Sequence, residues 1–140
     1  MPALVVDASL IFRLIVPNPQ QHALRDQVDA WQQSGVDLVA PTLWLYELTS
    51  AIARAIHGGQ VSEDEGRRLV TLVHAFPIDL IAPDLALGLA ALAWSRRLQR
   101  ANAYDSAYLA LAEALHAELW TADRRLANAA QQPWVRVVAQ

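Results

Sequence analysis

Four carboxylates in the 140-residue chain stand where chemistry could be done: Asp7, Glu47, Asp105 and Asp123. Asp7 closes the apolar run Ala3-Leu4-Val5-Val6. Asp123 comes just past Leu119-Trp120-Thr121. Asp105 falls in the first turn of an expected helix, and Glu47 lies one turn into another. Grouped oxygen donors of this kind are what Mg²⁺ or Mn²⁺ prefers. Such an ion activates water and stabilises charge developing on a phosphodiester oxygen. Spacing along the chain does not by itself bring the four together, and plainer roles exist. Asp7 and Asp123 can N-cap the helices that follow them, and Asp105 can stabilise a helix N-terminus. Glu47 resists such a reading. At about 100° per helical residue, Trp44, Leu48, Ile52 and Ala55 share one stripe, and Glu47 borders it. A carboxylate beside a buried face is costly unless something pairs with it. Arg54, two turns on, or a metal ion are the candidates.

Other chemistry is thinner. There is no cysteine, which excludes disulfides, thiolate metal sites and cysteine nucleophiles. There is no lysine, so all 11 basic residues are arginine and Schiff-base or P-loop lysine chemistry is impossible. His22, His57, His74 and His116 lack the two-histidine helical spacing of a zinc hydrolase. Ser9 has no Gly-x-Ser-x-Gly elbow, so it reads as a helix cap or a donor to Asp7 rather than a nucleophile. The pairs Arg67-Arg68 and Arg96-Arg97 read as solvated helix faces. Arg124-Arg125 directly follows Asp123 and could position an RNA backbone.

The elements that must carry these groups alternate. Short apolar runs predict strands at residues 3–6, 36–40, 78–82, 118–121 and 134–138. Helical periodicity predicts helices over 9–16, 20–34, 42–57, 63–74, 84–100, 103–116 and 123–130. Gly35 is placed to stop the second helix, Thr42 to cap the third, and Asn102 the sixth. Ser62 and Glu65 form a capping-box pattern. This order argues for an α/β/α sandwich with a mainly parallel central sheet, as one domain over 1–140. In such sheets ligands bind beyond the carboxyl ends of the strands, where Asp7 and Asp123 fall. Leu10, Phe12, Leu14 and Leu45 are candidates to join Trp44 in an apolar groove for a partner. The chain is 54% hydrophobic, a surplus that also suggests a face covered by a partner.

At this point the residues resemble a known family, the PIN-domain ribonucleases, and within it the VapC-type toxins. Val5-Val6-Asp7-Ala8-Ser9 is similar to the family's opening motif. Pro41 through Glu47, then Leu48-Thr49-Ser50-Ala51, resembles its second. The run Ala103-Tyr104-Asp105-Ser106-Ala107-Tyr108-Leu109-Ala110-Leu111-Ala112 is the nearest match, and Leu119-Trp120-Thr121-Ala122-Asp123-Arg124-Arg125-Leu126 resembles the last. The four occur in family order across nearly the whole chain. The resemblance implies Asp7, Glu47, Asp105 and Asp123 as an acidic site for Mg²⁺ or Mn²⁺, with Thr121 as a supporting hydroxyl. It implies hydrolysis of RNA, a homodimer, and inhibition by a cognate antitoxin protein docked across the helices near the site. Asn102 departs from the family pattern, where threonine is common.

Two other functions fit the same residues. One is a catalytically inert PIN-like module that only binds a protein partner, against which the four intact carboxylates argue. The other is a metal phosphatase acting on small phosphate esters, which shares the metal chemistry. The net charge of −3 is not that of a protein holding nucleic acid by charge alone, although a bound cation would offset the carboxylates locally. No signal-peptide pattern is seen. The most apolar helical stretch, residues 85–95, is too short for a membrane span. A cytoplasmic location is therefore expected.

Overall fold

The computed structural model describes residues 2–100 and 103–138. Five strands, β1 (Ala3–Val6), β2 (Asp37–Pro41), β3 (Asp79–Ile81), β4 (Glu118–Thr121) and β5 (Val135–Val137), form one sheet in the order β3-β2-β1-β4-β5. All four pairings are parallel, so every connection must cross a face of the sheet. The crossovers carry α1 (Ala8–Ile15), α2 (Gln21–Gln33), α3 (Leu43–His57), α4 (Glu63–Ala75), α5 (Leu85–Leu98), α6 (Tyr104–Leu115) and α7 (Arg124–Ala130). Helix α1 packs on α2 and α3, and α3 on α4, while α5 packs on α6 and α6 on β1, β2 and β4. Right-handed crossovers running outward from β1 in opposite directions place these two groups on opposite faces. The expected α/β/α sandwich is what forms.

The core explains the elements. Val5, Val6, Leu38, Val39, Ala40 and Leu119 are buried in the central strands. On α3 the predicted stripe Trp44, Leu48, Ile52 and Ala55 is the buried face. Helix α2 stops at Ser34, followed by Gly35 at φ 76°, a left-handed conformation suited to glycine. Ser62 caps α4 by accepting the Glu65 N–H at 3.1 Å.

Several expectations need correction. Thr42 precedes α3 but is itself in helical backbone, and its side chain makes no cap bond. Its carbonyl accepts the Leu45 N–H and its own N–H reaches Ile81 on β3, so strand contacts set the helix start. Leu10, Leu14 and Trp44 form no partner groove, because all three lie inside the core and leave only Phe12 and Leu45 half-exposed. Helix α5 ends at Leu98, with Gln99 in left-handed backbone at φ 56°. Asn102, expected to cap α6, lies outside the described residues; Ala103 stands at the cap position without a side-chain bond. Among the described residues no helix is long and apolar enough to cross a membrane. Helix α5 does leave Leu85, Leu89 and Leu92 exposed at spacings of four and three residues, an uncovered apolar stripe.

Candidate active site

The strand order reverses at β1: the chain runs to β2 on one side and returns to β4 on the other. Crevices open at such switch points, beyond the carboxyl ends of the strands. Asp7 leaves β1 at this point, and its N–H donates to the Trp120 carbonyl of β4 at 3.2 Å. Parallel register then sets Thr121 beside Asp7.

Asp7 is only 6% exposed, yet its carboxylate is well supplied with donors. Oδ1 accepts from Ser9 Oγ at 2.7 Å and from the Leu10 N–H at 3.1 Å. Oδ2 accepts from Thr121 Oγ1. Thr121 in turn accepts the Asp123 N–H at 2.9 Å, and Ser9 accepts the Ala122 N–H at 3.1 Å. Two hydroxyls thus stitch the end of β1 to the end of β4. Burial nevertheless pushes the Asp7 carboxyl up from 3.8 to about 6. The bonds from Thr121, Ser9 and Leu10 pull it down, and the charge of Glu47 pushes it up again.

Glu47 reaches the same crevice from α3. Its partner is Tyr108 of α6, whose hydroxyl donates to Oε1 at 2.5 Å. Arg54, the partner suggested by sequence, stands close enough to favour the charged form without making an ion pair. Burial raises the Glu47 pKa above its usual value; the Tyr108 bond opposes the rise and the Asp105 charge adds to it. Asp105 opens α6, half-buried, and its pKa too is raised, first by burial and then by Asp123, with Arg100 opposing. Asp123 caps α7, accepting from the Arg125 N–H at 3.0 Å and the Leu126 N–H at 3.3 Å. The capping roles of Asp7 and Asp123 are therefore real, and they hold both side chains at the crevice.

The four carboxylates are electrostatic neighbours in sequence of space: Asp7 with Glu47, Glu47 with Asp105, Asp105 with Asp123. They do not close into a cage; among the described residues no three acidic or histidine side chains stand in a metal-holding group. Arg124 and Arg125 lie exposed at the start of α7 beside Asp123. Tyr108 is the residue sequence reasoning missed. Its signal was there, since it follows Asp105 by three residues and so shares its helix face. Its phenol is buried and held protonated, because burial and the Glu47 charge both push its pKa up. Tyr108→Phe should leave Glu47 without its donor and reduce any activity of the site by about 10- to 100-fold. Unchanged turnover in a folded variant would show that Glu47 needs no such support.

A family model for the PIN domain matches residues 4–132. The chain belongs to the PIN-domain family. Its fold is similar to three solved PIN-like structures. These are VapBC2 from Rickettsia felis bound to a DNA fragment from their promoter (TM-score 0.72, 10% identity, covering 97% of this chain and 97% of that one), PAE2754 from Pyrobaculum aerophilum (0.70, 19%, 98% and 84%), and the sarcin–ricin loop cleaving toxin VapC20 from Mycobacterium tuberculosis (0.67, 14%, 95% and 98%). At these identities the likeness is one of fold. No curated protein sequence matches the chain.

Proposed function

We propose that this PIN-domain chain is a metal-dependent endoribonuclease, the toxin of a cytoplasmic toxin–antitoxin pair. One observation supports the reading: Asp7, Glu47, Asp105 and Asp123, carried by four separate elements, are successive electrostatic neighbours, and three of the four have raised proton affinity. Mutually repelling, partly buried carboxylates are the environment a cation relieves. The donor set fits Mg²⁺ or Mn²⁺, since it consists of carboxylate oxygens with hydroxyls behind them and no thiolate. Asp7, Asp105 and Asp123 would hold the ion, with Glu47 completing the charge. When bound, the ion would supply an activated water and neutralise charge on the scissile phosphate.

The chain's own residues do the positioning. Ser9 and Thr121 lock the Asp7 carboxylate from both sides, and Tyr108 fixes Glu47. Arg124 and Arg125 face solvent beside Asp123, where they would meet the RNA backbone. The likeness in fold to VapBC2 and to the toxin VapC20 supports an antitoxin partner. The uncovered leucines of α5 support a homodimer.

The test is incubation of partner-free protein with a mixed RNA and, separately, a small phosphate ester, in Mg²⁺ or Mn²⁺, with EDTA and Asp105→Asn controls. RNA cleavage that needs both metal and Asp105 supports the reading. Turnover of the ester alone points to a phosphatase. Folded protein that cuts neither is a binding module.

A further inference from the structure

Two adjoining clefts meet at Glu47, and another continues one of them. The first, of about 390 Å³, lies between α1 and α3 and is lined by Ser9, Phe12, Arg13, Glu47, Arg54 and Gln60 among others. A second shares Phe12, Arg13 and Gln60 and runs on to the turn at Pro17-Asn18-Pro19. A third shares Glu47 and Arg54 and extends the other way to Tyr46 and Tyr104. Together they form one groove past Glu47, the carboxylate of the acidic site that lines it.

The two arginines in this groove differ from Arg67 and Arg136. Arg67 pairs with Glu63 and Arg136 with Glu118. Arg13 and Arg54 are instead held by neutral oxygens. Arg13 Nη1 donates to Gln20 Oε1 at 2.6 Å, on a turn braced by Asn18, whose Nδ2 donates to the Arg13 carbonyl at 2.6 Å. Arg54 Nη1 donates to Ser50 Oγ at 3.0 Å. Among the described residues neither forms an ion pair, in a chain where acids outnumber bases by 14 to 11. Each is therefore a positioned guanidinium whose charge and remaining donors face the groove, the arrangement that suits a phosphate oxygen. At the other end, Tyr46 and Tyr104 are 76% and 59% exposed, and exposed aromatic faces beside a cationic groove suit unpaired bases.

We propose that this groove is the track for single-stranded RNA: Arg54 and Arg13 hold backbone phosphates on one side of the scissile position, and Tyr46 stacks a base on the other. The proposal rests on the nuclease reading above and adds substrate-positioning residues to it. Glu47 alone would repel RNA, and the two guanidinium groups are placed to offset that repulsion.

The test is steady-state cleavage of a single-stranded RNA oligomer at several salt concentrations. Arg54→Gln and Arg13→Gln should each raise KM by about 10-fold while kcat stays within about 2-fold. Each should also flatten the slope of log kcat/KM against log salt by about 0.7, one phosphate contact on a single strand. Arg13→Lys, which keeps the charge and loses the fork, should restore the salt slope if charge rather than packing is at stake. Tyr46→Leu should raise KM by about 10-fold without changing the slope. Arg67→Gln, outside the groove, should change nothing. If the wild type cuts the oligomer and the groove variants keep its KM and slope, the track is wrong and the nuclease reading survives. If they keep RNA kinetics but escape inhibition by an added antitoxin, the groove belongs to a protein. If the wild type cuts no RNA, both readings fall.

Discussion

In protein stripped of metal with EDTA, Asp7→Asn is expected to be more stable than the wild type by about 3 kcal/mol at pH 7. It is also expected to lose at least about 100-fold in RNA cleavage. The stability gain follows from burial. The folded carboxyl titrates near 6 and the free side chain near 3.8, so the unfolded chain gives up this proton more readily. Folded protein therefore binds the extra proton between those values, and its stability falls as pH rises through that window. Below pH 4 the difference between variant and wild type should vanish; above pH 6 it should be complete. Asparagine can keep the local bonds: its Oδ1 accepts from Ser9 and Leu10, and its Nδ2 donates to Thr121 Oγ1. For a domain of this size the shift in Tm is roughly 6–12 °C. On the proposed function, added Mg²⁺ should then raise the wild-type Tm more than that of the variant, since Asp7 is one of the proposed ligands. Melting curves from pH 4 to 8, with EDTA and with Mg²⁺, decide the matter. Coincident curves throughout would mean that Asp7 carries no burial penalty and holds no ion.

Thr121→Val should cost about 2–3 kcal/mol at pH 7.5, though the two side chains have the same shape. The hydroxyl is fully buried, donates to Asp7 Oδ2 and accepts the Asp123 N–H. Its removal strips a donor from a buried anion and a partner from a backbone N–H. The bond to Asp7 favours the ionised form, so the cost should be smaller at pH 4.5, where Asp7 is protonated. In the Asp7→Asn background it should shrink further, with a coupling of about 1–2 kcal/mol between the two positions. Urea unfolding of the four proteins at both pH values measures this. Strictly additive costs, independent of pH, would show that the hydroxyl and the carboxylate do not act together.

The carboxylates of this site could be read in the chain because the element that carries each one is set locally. Asp7 ends a continuous apolar run, and such runs in parallel sheets end where crossovers begin. The stripe on α3 follows from helical geometry alone, which is why Trp44, Leu48, Ile52 and Ala55 were legible and Glu47 stood out at their border. What was hidden depends on contacts between distant segments. The Tyr108 hydroxyl meets Glu47 across 61 residues of chain, and no spacing rule reaches that far. Arg54 was the local candidate for that contact and lost to Tyr108. Arg13 gives no local signal, because its partners Gln20 and Asn18 lie on the turn after α1. Leu10 and Leu14 read equally well as groove or core, since periodicity reports a buried face without saying what buries it. Thr42 had a capping side chain in the right place, yet the pairing of its N–H with β3 set the backbone first.

The position of β1 at the centre of the sheet has a consequence for biosynthesis. The first of the sheet's five strands to leave the ribosome pairs on one side with β2 and on the other with β4, more than 110 residues later. Ser9 and Asp7 therefore wait for Thr121 and Asp123 before the crevice has two walls. Contacts of such sequence separation form late in folding. A nascent or prematurely terminated chain ending before β4 holds only Asp7, Glu47 and Asp105, without the strand that fixes the first of them. If the chain is a toxin, this topology keeps the site unassembled until β4 has been made and paired with β1.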